Sequence, residues 1–246
     1  MPARSNFQEA IREAQSSALV GPNVVNKALP YVGGGMVLTA AGVAGGLATL
    51  ASLGPVGFQG ISFVAIIPWF ILFFVAQNAA NRGNNGTALP LLVTFSLLTG
   101  FTLTSLVVRA VAVAGAGAIG TAALATGITF VIASFVGRRM SDSIGQALSG
   151  VVSLGLVGLL IAMVVQIVGS IFAPGMFGGN ALSLMIAGFG TVVFVGLAFV
   201  DFYTMPRTYS DDQYLVGALG MYLTYINLFA FILQLIIALQ GGGRRD

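Results

Sequence analysis

Residues 181–202 read ALSLMIAGFGTVVFVGLAFVDF, an apolar run whose one charge, Asp201, falls near its end. About 20 consecutive apolar residues are enough to cross the hydrocarbon core of a bilayer. A carboxylate inside such a span costs roughly 2.5–3.5 kcal/mol on insertion scales, so it normally faces a partner or a wet cavity. The run continues to Pro206-Arg207 and breaks there, and a second one starts at Tyr214. Asp201 stands about 7 Å of helix before that proline, deeper than the headgroups and short of the midplane.

The rest of the chain repeats this pattern of apolar run and polar break. Of its 246 residues 57% are hydrophobic and 7% charged, too few charges to cover a soluble surface. The reading is an all-α polytopic membrane protein with seven transmembrane helices in one bundle. The spans fall at about Tyr31–Leu53, Ile61–Ala80, Thr87–Val108, Val111–Val136, Ala147–Phe172, Ala181–Phe202 and Tyr214–Leu239. Between them lie Gly54-Pro55, the segment Asn81–Gly86, Arg109, Arg138–Asp142, Ala173-Pro174-Gly175 and Pro206-Arg207. These are residues that hold a helix poorly or resist burial. Residues 1–29 form an N-terminal segment, 30–240 the bundle and 241–246 a basic tail. In residues 6–18, Phe7, Ala10, Ile11, Ala14 and Ala18 recur at helical spacing, and Ser5 with Gln8 fits a capping box. This short amphipathic helix lies on the membrane surface or a partner, or else stays a solvated tail.

Basic residues orient the bundle. With the N-terminus in the cytoplasm, Arg4, Arg12, Lys27, Arg82, Arg138, Arg139 and Arg207 lie inside, and Arg109, Arg244 and Arg245 outside. The positive-inside rule then gives N-in, C-out. The net charge of +3 thus reports topology rather than nucleic-acid binding. The absence of an apolar core with a cleavage site in Met1–Pro30 gives no cleaved signal peptide, and the expected location is a bacterial plasma membrane.

Histidine and cysteine are both absent, which removes thiol chemistry, the usual zinc sites and histidine-based catalysis. An intramembrane aspartyl protease needs two embedded aspartates, and the spans hold one. No enzyme activity, cofactor or metal is expected. Gly115–Gly120 spells GxGxxG, but inside an apolar span it reads as helix packing rather than dinucleotide binding. Asn85-Gly86-Thr87 reads as a turn, not a glycosylation site. Gly33-Gly34-Gly35, Gly42, Gly45 and Gly46 make the first span a close-packed one, and Pro68 kinks the second.

Asp201 has three readings: a buried acid satisfied by neighbours, a protonation-dependent latch, or a helix end at the interface. Arg82 and Arg207 are the cations on its side. Thr224, Tyr225 and Asn227 make a polar seam on the last span, from which Tyr225 and Asn227 would hydrogen-bond the acid. Asp211 and Asp212 line the mouth, or with Ser210 cap the last span.

Four stretches also resemble a known family. Residues 93–103, VTFSLLTGFTL, match its third span, and 126–130, TGITF, with 133–137, ASFVG, its fourth. Asp201 and its neighbours match the end of its sixth, and 222–229, YLTYINLF, its seventh. Together they resemble the Bax inhibitor motif-containing membrane proteins, bacterial members included. The resemblance implies six helices surrounding the last. Some members are pH-sensitive calcium leak channels, with carboxylates on spans six and seven latched by an arginine near the end of span two. Asp201 matches the first carboxylate and Arg82 the latch, while Thr224 stands where the second carboxylate would be. A cation leak gated by Asp201 is the resulting expectation. Its rival is a non-conducting subunit of a large membrane complex, such as a modulator of a membrane-anchored ATP-dependent protease.

Overall fold

The structure, a computed structural model, describes residues 19–177 and 179–242; the expected helix at 6–18 and the basic pair Arg244-Arg245 lie outside them. The described residues form helices joined by short turns: α1 (Val24–Asn81), α2 (Asn85–Ala114), α3 (Gly117–Gly137), α4 (Asp142–Phe172), the single turn α5 (Pro174–Phe177), α6 (Asn180–Thr208) and α7 (Tyr214–Gly242). All but α5 are long and apolar enough to cross a membrane. Where the sequence reading expects seven separate spans, there are six such helices, because the first two expected spans are both within α1.

That element has 58 residues, which as a straight helix would measure about 87 Å, far beyond a bilayer core. It is interrupted at Gly54, whose φ of 69° and ψ of 175° lie in a region that is essentially glycine-only. Pro55 follows, where a helix start tolerates a missing N–H. The two limbs then run along α2 in opposite senses. On the first, Gly42 lies on Leu97 and Gly46 on Thr104. On the second, Phe58 meets Phe101 at 5.2 Å and Trp69 meets Phe95 at 5.1 Å between ring centroids. Both ends of α1 therefore reach the same loop: Asn23 N donates to Asp211 Oδ1 at 2.9 Å, and Gln213 Nε2 donates to the Asn81 carbonyl at 3.4 Å. Pro68 keeps helical backbone angles, since Gly54 alone departs from them within α1.

The other turns correct two expectations. Arg109 does not end a helix; α2 runs through it to Ala114, and the chain turns at Gly115, with φ 79°. A long charged side chain can leave the apolar layer while its backbone stays helical. The GxGxxG stretch consequently forms that turn and the start of α3 rather than lying inside a span, and a helix, not a strand, precedes it. Asn84 caps α2 by accepting from Thr87 N at 3.2 Å.

The last helix is the most buried span. It packs on α1, α2, α3 and α6, while α4 lies chiefly against α6. Close helix approach depends on particular glycines. A methyl on Gly42 would strike the Leu97 carbonyl, and one on Gly100 the Thr39 carbonyl, whereas Gly33, Gly34 and Gly45 face open space. Only Gly35, Gly42 and Gly46 of the expected glycine set are packing positions. Beside them Thr39 Oγ1 and Tyr222 OH lie 2.7 Å apart, a buried polar contact joining α1 to α7.

Candidate functional site

Asp201 lies on α6 two turns before its end, facing α7. One side of α7 meets it, presenting Val216, Gly217, Gly220, Met221 and Thr224 at the three-to-four-residue spacing of a helix face. The Thr224 side chain stands beside the Asp201 carboxyl. Gly217 makes this approach close, because a methyl there would collide with Met205.

The second carboxyl oxygen, Oδ2, is buried and has no hydrogen-bond partner; the same is true of Gln77 Oε1. Both residues line one cavity of about 90 Å³, with Thr204, Met205 and Tyr209 on its other walls. Leaving a buried acceptor unsatisfied costs about 1–3 kcal/mol. Two of them on one polar cavity call for a donor between them: a water, a proton on the acid, or a cation. The volume exceeds the roughly 10–15 Å³ that one water needs. Burial, and then the nearby Asp201 charge, push the Tyr209 phenol above its usual range, so it remains a protonated donor at the lip.

The other expected site residues divide. Arg82 is exposed at the C-cap of α1, and no salt bridge joins it to Asp201; α1 sends Gln77, not Arg82, to the acid. Arg207 serves α4 instead. Its Nε donates to Asp142 Oδ1 at 3.1 Å, its Nη1 to the Tyr203 carbonyl at 2.8 Å, and its guanidinium lies 4.2 Å from the Tyr203 ring centroid. Tyr225 turns away toward α3, with its ring 4.9 Å from that of Phe130. Asn227 donates to the Leu223 carbonyl of its own helix at 2.9 Å. Of the polar seam, then, Thr224 alone meets Asp201. Asp211 holds the start of α1 rather than capping α7, through Asn23 N and Asn23 Nδ2, which donate to its two carboxyl oxygens at 2.9 and 3.2 Å. Asp212 is exposed, and its backbone carbonyl accepts from Asn85 Nδ2 at 3.1 Å. Among the described residues no group of three or more acidic, histidine or cysteine side chains could hold a metal.

Sequence reasoning missed Gln77 and Asp142. The signal for Gln77 was present, since it is one of the few amides within an otherwise apolar run. Asp142 announces itself only as an acid in the first turn of a helix, a common position near the positive end of the dipole.

Residues 21–241 match a family described as Bax1-I, inhibitor of apoptosis-promoting Bax1. The chain belongs to this Bax inhibitor family. It is an integral membrane protein, as its six apolar helices and its relatives agree. An uncharacterized membrane protein of Streptococcus pyogenes serotype M1 is 28% identical over 193 residues, 76% of each chain. An uncharacterized protein of Helicobacter pylori is 27% identical over 197 residues, 77% of this chain and 79% of that one. Bax inhibitor 1 of Schizosaccharomyces pombe is 41% identical over 59 residues, 24% of this chain and 22% of the yeast protein.

Proposed function

We propose that this family member crosses the membrane seven times, with α1 making two crossings, and acts as a pH-sensitive cation leak, calcium foremost, gated by Asp201. The observation that carries the reading is the pair of orphaned oxygens, Asp201 Oδ2 and Gln77 Oε1, on one cavity. An oxygen-lined pocket with a single acid suits a hard cation when the acid is ionised and loses that attraction when a proton takes its place. Beyond the cavity, Ala198, Phe194, Leu228 and Phe231 are buried, and the rings of Phe194 and Phe231 stack at 5.4 Å. That dry stretch corresponds to a closed conformation. Arg82 and Asp212 stand exposed at the mouth, where their charge bears on what enters. Five of the six described basic residues, Lys27, Arg82, Arg138, Arg139 and Arg207, belong to the Asp201 end. Together with the bacterial relatives, this supports a bacterial plasma membrane with that end in the cytoplasm and the C-terminus outside.

The test is calcium flux into proteoliposomes across a pH series. Because Arg82 does not pair with Asp201, ionisation is expected to favour flux by drawing the cation in, so flux rises with pH. Asp201→Asn should abolish the pH response. Equal, pH-independent flux in both proteins would defeat the proposal.

A second reading is favoured by Thr224. A hydroxyl facing Asp201 cannot form the coupled titration of two close carboxylates. A non-conducting accessory subunit, such as a modulator of a membrane-anchored ATP-dependent protease, needs no such pair. Purification in mild detergent separates the two, since a subunit should leave the membrane in a large stable assembly.

A further inference from the structure

At the opposite end of the bundle from Asp201, a cavity of about 200 Å³ opens between α2, α4, α6 and α7. We propose that it binds a ligand head that carries an anionic phosphate or carboxylate beside a hydrogen-bond donor, the chemistry of a phospholipid headgroup or of a free zwitterionic solute. The proposal is independent of Asp201 and of conduction.

The cavity wall holds Arg109, Gln166, Asn180, Ser183 and Gln234 and no acidic side chain. Arg109 has no salt bridge among the described residues, where Arg207–Asp142 is the one ion pair. A guanidinium offers a planar fork of donors suited to phosphate or carboxylate. The neutral groups supply the opposite polarity. Asn180 Nδ2 donates to the Ala238 carbonyl at 3.0 Å, which leaves its Oδ1 as the free end. Ser183 Oγ donates to the Gly179 carbonyl at 3.4 Å and accepts from Gln166 Nε2 at 3.1 Å, which leaves Gln166 Oε1 free. These hydrogen bonds therefore fix the orientation of both amides. One cation and two spare amide oxygens on one wall fit an anionic group with an adjacent ammonium or hydroxyl. At about 30 Å³ per water, the space admits several waters or one headgroup.

A lipid could reach it from the side. Around α7, α2 packs substantially on neither α4 nor α6, so the wall between them is open at this end.

The experiment titrates purified protein in mild detergent with phosphatidylethanolamine, with diacylglycerol of the same acyl chains, and with soluble phosphoethanolamine. Native mass spectrometry reads the lipids and calorimetry the soluble compound. Retention of phosphatidylethanolamine over diacylglycerol is expected, with Arg109→Gln and Gln234→Glu each weakening it about tenfold or more. Both residues are exposed, and an unchanged melting midpoint verifies the fold of each variant. Binding of phosphoethanolamine by wild type, lost in the variants, identifies a free solute as a source, and retention of the lipid alone identifies the membrane. Equal retention of the two lipids without phosphoethanolamine binding, or binding unaltered in both variants, overturns the proposal.

Discussion

At the scale of single residues, the Asp201–Thr224 contact sets what the site can do. Replacing Thr224 with valine keeps the shape and removes the hydroxyl. The loss should be about 1–3 kcal/mol of stability when the acid is charged and nearer 1 kcal/mol when it is neutral. Thermal melts of Thr224→Val in detergent should therefore fall further below wild type at high pH than at low pH, and a constant gap would mean that Thr224 does not serve the carboxylate. Asp201 was legible in the sequence because a carboxylate in an apolar run is costly wherever it points. Its partners were less legible. Thr224, Tyr225 and Asn227 are close along the chain, yet successive residues on a helix point about 100° apart. Which of them faces α6 depends on how two helices pair, and that is settled by long-range packing around Gly217 and Met205 rather than by local sequence. The same holds for Gln77, in the last turns of α1, and Arg82, its C-cap, of which only the less conspicuous Gln77 lines the cavity.

At the scale of elements, the break at Gly54-Pro55 is read correctly, while the break expected at Arg109 lies instead at Gly115, which the sequence reading places inside a span. Gly54 and Gly115 turn the chain through positive φ, 69° and 79°, whereas Arg109 interrupts hydropathy and leaves the helix intact. Gly54→Ala should then cost about 1–3 kcal/mol from backbone strain alone, because a methyl there meets nothing within 4 Å. Gly33→Ala is the matched control. It also meets open space, its φ is not positive, and alanine favours a helix over glycine by roughly 1 kcal/mol, so it should leave stability equal or slightly raised. A melting series of the two variants checks both signs. Equal effects would mean that Gly54 is a flexible joint rather than a fixed turn. The packing glycines were only partly legible for a different reason: composition counts them, but only the partner helix decides which ones need to be small.

At the scale of the molecule, the hairpin in α1 determines where every later loop lies. Asn23 and Asn81, the two ends of that element, both bond to the loop 209–213, and Arg138 joins them by donating to Asn26 Oδ1 at 3.1 Å. With both limbs crossing, residues near Gly54 lie on the opposite side of the membrane from Arg139. With one crossing, Asn23 and Asn81 would be separated by the bilayer, which their shared loop forbids. The natural chain contains no cysteine, so single-cysteine labelling starts from a silent background. Val56, 86% exposed beside the turn, and Arg139, exposed between α3 and α4, are suitable positions. In sealed vesicles of one orientation, a membrane-impermeant maleimide should label Val56→Cys or Arg139→Cys but not both, and inverting the vesicles should exchange the two. Labelling of both from one side would place the Gly54 turn at the same membrane face as the Asp201 mouth. The α1 limbs would then form a re-entrant hairpin and the protein would cross five times rather than seven, with Asn23 still on the side of the 209–213 loop to which it bonds.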